Sequence, residues 1–344
     1  MAASSWLFVR ARLLVRALVL VVLLAGVWSI TPQAAMSLSG PGVPKNVILF
    51  YDDYPTRGDP QFQVTLQIAK PLVTHIDKKG RPNDWMFDSF IFYSMWLYVT
   101  RKPTQAYIDS WISYLFDGQQ VANLDRAVDS AKKALRNPDY QMNIFLALPV
   151  AYEAVDSSSI LNNADKVLSR WASLNPTNLR LTGFYWGFTE DLWFDGSATI
   201  LPTISQYVHS KGLKLLMIPY LSAYGYDRLH VLGFDYVTMQ PNYAWDAKSN
   251  ATSFAIVNKS IADGYSDGVE FELPYKGGYG PMCCGGDWRV NLKTYFDQAQ
   301  SYNWKSTVLQ TYYEGSGISL MGRSSDVNSR NAYEMIYQYI ASTR

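Results

Sequence analysis

Apolar positions gather in eight short runs separated by polar, helix-periodic stretches. The runs are Asn46–Asp53, Asp84–Tyr93, Met142–Val150, Leu179–Glu190, Lys214–Ser222, Tyr236–Tyr243, Asp267–Leu273 and Ser306–Glu314. Runs of this length, rich in β-branched and aromatic residues, predict strands covered on both faces. Helical spacing fills most of the gaps. Tyr107, Ile108, Trp111, Ile112 and Leu115 share one face. So do Leu161, Ala164, Val167, Leu168 and Trp171, then Ile200, Ile204, Tyr207 and Val208, and last Ala332, Met335, Ile336, Tyr339 and Ile340. Gly212 is placed as a C-terminal cap of the third of these. Asp287 is placed to cap the helix after the seventh strand.

Eight strands alternating with helices predict a parallel sheet under a helical layer, closed as a single (β/α)8 TIM barrel of the α/β class. The stretch Ser94–Gln141 holds two helices by its periodicity. The gaps after the fifth and sixth strands carry little helical pattern. No internal repeat or linker divides the chain, so one domain is expected over residues 43–344.

The first residues change the setting. Arg10, Arg12 and Arg16 precede an uncharged run, Ala17–Ile30, followed by small residues at Ala34 and Ala35. This pattern predicts an export signal or an N-terminal membrane anchor over residues 1–35, placing the remainder outside the cell or on the outer membrane face. The run is short for a spanning helix. Two sequons, Asn250-Ala-Thr252 and Asn258-Lys-Ser260, fit that location. The two cysteines, Cys283 and Cys284, are adjacent and cannot staple distant parts of a fold. A strained vicinal disulfide, a bond to another chain or two free thiols all remain open.

Charge excludes one class of partner. The N-terminal segment carries three arginines and no acid, so the remainder holds 27 basic against 29 acidic side chains. That balance does not fit a nucleic-acid surface. The chain has 3 histidines, with no HxH or HExxH spacing, so no metal and no cofactor is expected. No GxSxG and no phosphate loop stands out. The glycine-rich stretch 277–286 is expected as a loop over the mouth. Aromatic residues are 15% of the chain, with 25 Tyr and 11 Trp. Such rings suit sugars as well as ordinary core packing.

In this barrel chemistry belongs at the C-terminal ends of the strands. Glu270 and Glu272 lie two apart and share a face opposite Val269, Phe271 and Leu273. The apolar set must meet the helices, which turns both glutamates into the barrel. Glu272, nearer the mouth, is expected to react, and Glu270 to orient it. A structural ion pair is the bland alternative. Glu190 closes the fourth strand beside Trp186 in an aromatic setting that would raise its pKa, as a general acid needs. Asp191 and Asp195 compete for that place. Substrate contacts are expected from Asp52, Asp53, Trp186, Tyr220, Tyr224, Gln240, Asn242, Tyr243 and Tyr312. Two carboxylates flanking a bond are the equipment of glycoside hydrolysis, so a poly- or oligosaccharide is the expected partner and a monomer the expected state. A glycan-binding barrel without turnover, and a polysaccharide transferase, use similar surfaces.

The segments GFYWGFTEDL, VHSKGLKLLMIPYLSAYG, LGFDYVTMQPNYAW and DGVEFELP resemble, in order and spacing, domain-of-unknown-function family 4855. The resemblance runs from about 45 to 340. It implies an exported barrel related to glycoside hydrolases and assigns no substrate. The glutamates of strands four and seven are also similar to those of the large clan of retaining glycosidases. That likeness implies Glu190 as acid/base and Glu272 as nucleophile. Thr189 stands where that clan has asparagine.

Overall fold

The computed structural model describes residues 42–52, 63–94, 103–152, 155–188, 192, 197–221, 223–244, 251–272, 288–314 and 317–344. Eight strands close a parallel barrel: β1 (Asn46–Asp52), β4 (Ser89–Ser94), β5 (Met142–Ala147), β6 (Leu179–Tyr185), β7 (Lys214–Met217), β8 (Tyr236–Met239), β9 (Gly268–Phe271) and β10 (Leu309–Tyr313). Each of the eight apolar runs supplies one of them. The remaining strands, β2 (Thr74–Ile76) and β3 (Pro82–Trp85), form a separate antiparallel pair. The run from Asp84 therefore divides, because Asp84 and Trp85 pair with β2 and the barrel strand starts only at Ser89.

Helices α1 (Leu66–Val73), α2 (Gln105–Phe116), α3 (Gln120–Leu135), α4 (Ser157–Leu174), α5 (Ser197–Ser210), α6 (Ala251–Ala262), α7 (Trp288–Ser301), α8 (Trp304–Thr307), α9 (Ile318–Arg323) and α10 (Val327–Ala341) follow in chain order. Among its described residues the gap after β7 has only a 3-10 turn, Tyr226–Arg228, as its weak pattern suggested. The gap after β8 carries α6, against expectation. Its polar residues mask a buried stripe of Ser253, Phe254, Val257 and Ser260. Gly212, at φ +72°, ends α5, with its amide donating to the His209 carbonyl. Asp287 lies outside the described residues. Among the described residues no helix is long and apolar enough to cross a membrane.

Strand register fixes which side chains enter the barrel. Val47, Thr311 and Glu270 pair across β1, β10 and β9, and Thr238 pairs with Gly268. Paired residues of parallel strands share a face. Thr238 and Thr311 meet inside at 3.0 Å between their hydroxyls, and Asn143 Nδ2 donates to Ser89 Oγ at 3.3 Å. The alternate residues pack against the helices, as Phe271 does on Tyr295, Phe296 and Tyr339.

The opposite, N-terminal ends of the strands are laced by aspartates. Asp88 precedes β4 and accepts from the amides of Lys45 and Asn46, at 3.1 and 2.9 Å. Asp235 precedes β8 and accepts from Leu215, and Asp267 precedes β9 and accepts from Val237, both at 2.8 Å. Each carboxylate accepts from a backbone amide at the start of the neighbouring strand. Burial raises the pKa of Asp88 and of Asp267, and the amide bonds act against it. The residues that lead into β1 meet the C-terminus at this same face. Asn46 Nδ2 donates to Thr343 Oγ1 at 3.0 Å, Lys45 Nζ donates to the Thr343 carbonyl, and Arg344 grips the Asp84 carboxylate and the Trp85 and Met86 carbonyls.

Candidate active site

Glu270 and Glu272 are buried at the C-terminal end of β9, with exposures of 1% and 0%. Register turns Glu270 to the interior, while Val269 and Phe271 face the helices, and Glu272 follows just past the strand. Glu272 Oε2 accepts a 2.5 Å hydrogen bond from the hydroxyl of Tyr295, which comes from α7. A bond this short is typical of an O–H donor meeting a carboxylate. The Tyr295 phenol is pushed far above its ordinary pKa, first by burial, then by the charge and hydrogen bond of Glu272 and the charge of Glu270. Both glutamates therefore act on one phenol, which stays a neutral donor across the working pH range.

Beside them lies a set of phenols. Tyr51, Tyr93, Tyr185 and Tyr313 end four strands and turn inward, in register with the interior positions of their neighbours. Tyr51 meets Tyr93 and Tyr313 edge-on, at 5.1 and 5.0 Å between ring centres, and Tyr93 meets Tyr185 at 5.3 Å. Burial raises the Tyr51 phenol well above its ordinary value, and the phenols of Tyr313, Tyr185 and Tyr93 and the carboxylate of Glu270 add to the effect. Tyr93 donates to the Gly187 carbonyl at 2.6 Å. A Cβ on Gly187 would stand 2.4 Å from the Tyr93 ring and 2.8 Å from that of Tyr185, so the close approach requires glycine.

Tyr220 and Gln240 form a parallel bridge, and the register carries Gln240 to the level of Glu270. Gln240 is 8% exposed. Asn242 follows in the left-handed region, at φ +55°. Tyr243 lays its ring at 87° to that of Tyr295, with centres 5.9 Å apart. Gln240, Asn242 and Tyr243 thus follow β8, which flanks β9, and Tyr220 follows β7, one strand further round. Tyr224 stands on the rim with its ring 53% exposed and the Arg228 guanidinium 5.9 Å above it.

Three expected contacts fall on the other side of the sheet. Asp52 points to the helices, where Trp111 Nε1 donates to both its carboxylate oxygens, at 3.0 and 3.1 Å. Tyr312 packs between Phe87 and Phe271 and donates to Gln310 Oε1 at 2.9 Å. Trp186 is buried on the face opposite Tyr185. In each case the inward residue is the adjacent tyrosine: Tyr51, Tyr313 or Tyr185. Asp53, Glu190, Asp191, Asp195, Cys283, Cys284 and the stretch 277–286 lie outside the described residues.

Glu314, one residue past β10, is buried for another purpose. Its Oε1 accepts from the Ser319 amide at 3.0 Å, at the start of α9. Burial raises its pKa to about 7, opposed by amide bonds from Ser319 and Ile318 and by the charge of Arg323. The histidines are engaged away from the mouth: His75 with Asn83 and Glu334, His209 with Asp235, and His230 with Asp267. Among the described residues no group of three or more His, Cys, Asp or Glu could hold a metal ion. Asn258, the acceptor of the second sequon, has its amide oxygen bonded to Trp304 Nε1 at 3.1 Å within α6.

The fold and these side chains define a closed (β/α)8 barrel with a carboxylate pair and a phenol-lined interior at its C-terminal mouth. The chain belongs to the family described as Domain of unknown function (DUF4855), whose profile matches residues 46–338. No curated protein matches it in sequence. Among solved structures it is similar to a family 18 chitinase from Crocus vernus, at 11% identity, TM-score 0.44, over 86% of this chain and 99% of that one. It is also similar to a mutant tryptophan synthase alpha-subunit from Pyrococcus furiosus, at 11% identity, TM-score 0.42, over 87% and 97%. A mutant O-GlcNAc hydrolase from Thermobaculum terrenum matches at 11% identity, TM-score 0.39, over 86% and 63%.

Proposed function

We propose that this protein is an exported glycoside hydrolase that cleaves a polysaccharide at the mouth of its barrel. The observation that carries the reading is the buried pair Glu270–Glu272 at the end of β9, with Tyr295 donating to Glu272. Glu272 attacks the anomeric carbon, Glu190 gives its proton to the leaving glycosidic oxygen, and a water activated by Glu190 then cleaves the glycosyl ester. Glu270 orients the site from one layer below. Tyr220, Gln240, Asn242, Tyr243 and Tyr224 contact sugar hydroxyls and ring faces. The domain spans 43–344, acts as a monomer without metal or cofactor, and follows an export signal or membrane anchor over residues 1–35.

The test uses the purified protein against a panel of neutral, acetamido, amino and uronic polysaccharides, reading new reducing ends. Glu272→Gln and Glu190→Gln are expected to lower the rate by about 10² to 10⁴, with circular dichroism and unfolding midpoint unchanged. Full activity in both variants overturns the assignment. Binding to a glycan with no release of ends assigns the protein to the non-catalytic reading instead.

A further inference from the structure

Tyr295 belongs to a helix, well away in sequence from any strand end, and nothing in the apolar pattern marks it as more than a core aromatic. Its hydroxyl nonetheless reaches the end of β9, where it donates to Glu272 Oε2 at 2.5 Å. The ring is clamped as well: Tyr243 meets it edge-on at 87°, Phe254 at 87° with centres 5.1 Å apart, and Phe271 packs at 5.8 Å. Full burial leaves the hydroxyl no water to exchange with.

We propose that Tyr295 is the positioning residue of the site: it holds Glu272 ionised and oriented, and it ties that carboxylate to the segment after β8 that carries Gln240, Asn242 and Tyr243. The proposal rests on Glu272 as the reacting group. A hydrogen bond to the charged form favours ionisation, and here the donor is rigid, so no ordering is required at the moment of reaction. The segment after β8 touches this donor through the Tyr243 ring, 5.9 Å from that of Tyr295. The described titratable groups linked to this donor are Glu272, which it bonds, Glu270, whose charge it feels, and Tyr243, which packs on its ring; Tyr51 feels the charge of the same Glu270.

The experiment needs no substrate. Protein carrying δ-¹³C glutamate is titrated by carbon NMR, with Glu272→Gln used to assign the resonance. Tyr295→Phe, which keeps the ring and its packing, is expected to raise the Glu272 midpoint by about one to two pH units, a ten- to hundred-fold weaker ionisation. A trifluorotyrosine placed at position 295 keeps the shape and strengthens the donor, so it is expected to lower the midpoint. This second substitution decides the matter if Tyr295→Phe fails to fold. An unmoved midpoint in either folded variant, or shifts of the same sign in both, overturns the proposal. Because the titration is made on the free protein, a failure here is distinct from a failure to find a cleavable glycan. On a glycan that is cleaved, the acidic limb of the kcat/KM profile is expected to move with the midpoint in Tyr295→Phe, while KM stays within about twofold.

Discussion

Replacing Glu314 by Gln should change how the stability of the barrel depends on pH. In the folded chain this carboxyl titrates near 7, against an ordinary value of 4.5, because burial penalises its charged form. A carboxyl whose folded pKa is raised contributes stability that is fully present below the unfolded value. That contribution is lost as pH rises through the folded value. Taking 1.36 kcal/mol per unit, raising the pH from 4.5 to 8.5 removes about 3 kcal/mol from the wild type through this one group. Glutamine has no charge to bury, so the variant escapes the loss. It keeps an oxygen for the Ser319 amide but places an amide nitrogen at Oε2, which has no hydrogen-bond partner among the described residues, at a cost of about 1–3 kcal/mol at every pH. The variant is therefore expected to be less stable than wild type at pH 4.5 and equal or more stable at pH 8.5. Asp88 and Asp267 also have raised values, so the wild-type curve alone does not isolate Glu314. The measurement is urea unfolding of both proteins across that range. A difference between them that stays constant within about 1 kcal/mol would refute the argument, whatever its absolute size.

The parity of the strand ends gives a paired test. Tyr312→Phe should cost about 1 kcal/mol of stability through its lost bond to Gln310 and leave glycan cleavage unchanged, whereas Tyr313→Ala should lower cleavage at least tenfold, both read by unfolding and by reducing-end release. Gly187→Ala should destabilise by about 1–3 kcal/mol, because the added methyl displaces the rings of Tyr93 and Tyr185, and the loss should shrink when combined with Tyr93→Leu. Trp111→Phe should cost about 1.5–3 kcal/mol, since it removes the indole donor from the buried Asp52 carboxylate, and cleavage should persist at wild-type rate in the folded fraction.

The eight apolar runs were enough to place all eight barrel strands, because a strand buried on both faces must be apolar along its length. That same property hid the parity. Where both faces are apolar there is no alternation to say which residue of Tyr51-Asp52, Tyr185-Trp186 or Tyr312-Tyr313 turns inward, and a slip of one residue exchanges the faces. Strand β9 escaped this, since two charged residues among Val269, Phe271 and Leu273 restored a period of two. The β2–β3 pair was missed because Asp84 and Trp85 run directly into the barrel strand, and only pairing with Thr74 and His75 separates them. The helix after β8 was missed because its buried stripe includes two serines. Tyr295 carried no signal at all in one dimension: its role comes from a packing contact between α7 and the end of β9.

The junction of Lys45, Asn46, Thr343 and Arg344 has a practical consequence. These residues meet at the strand ends opposite the carboxylate pair. A fusion partner or a resin joined after Arg344 therefore begins on the far side of the barrel from the mouth. Residue 45 also lies near enough to the C-terminus for a barrel begun there to be closed by a short peptide and reopened at a turn such as Lys78–Gly80 without dismantling a strand.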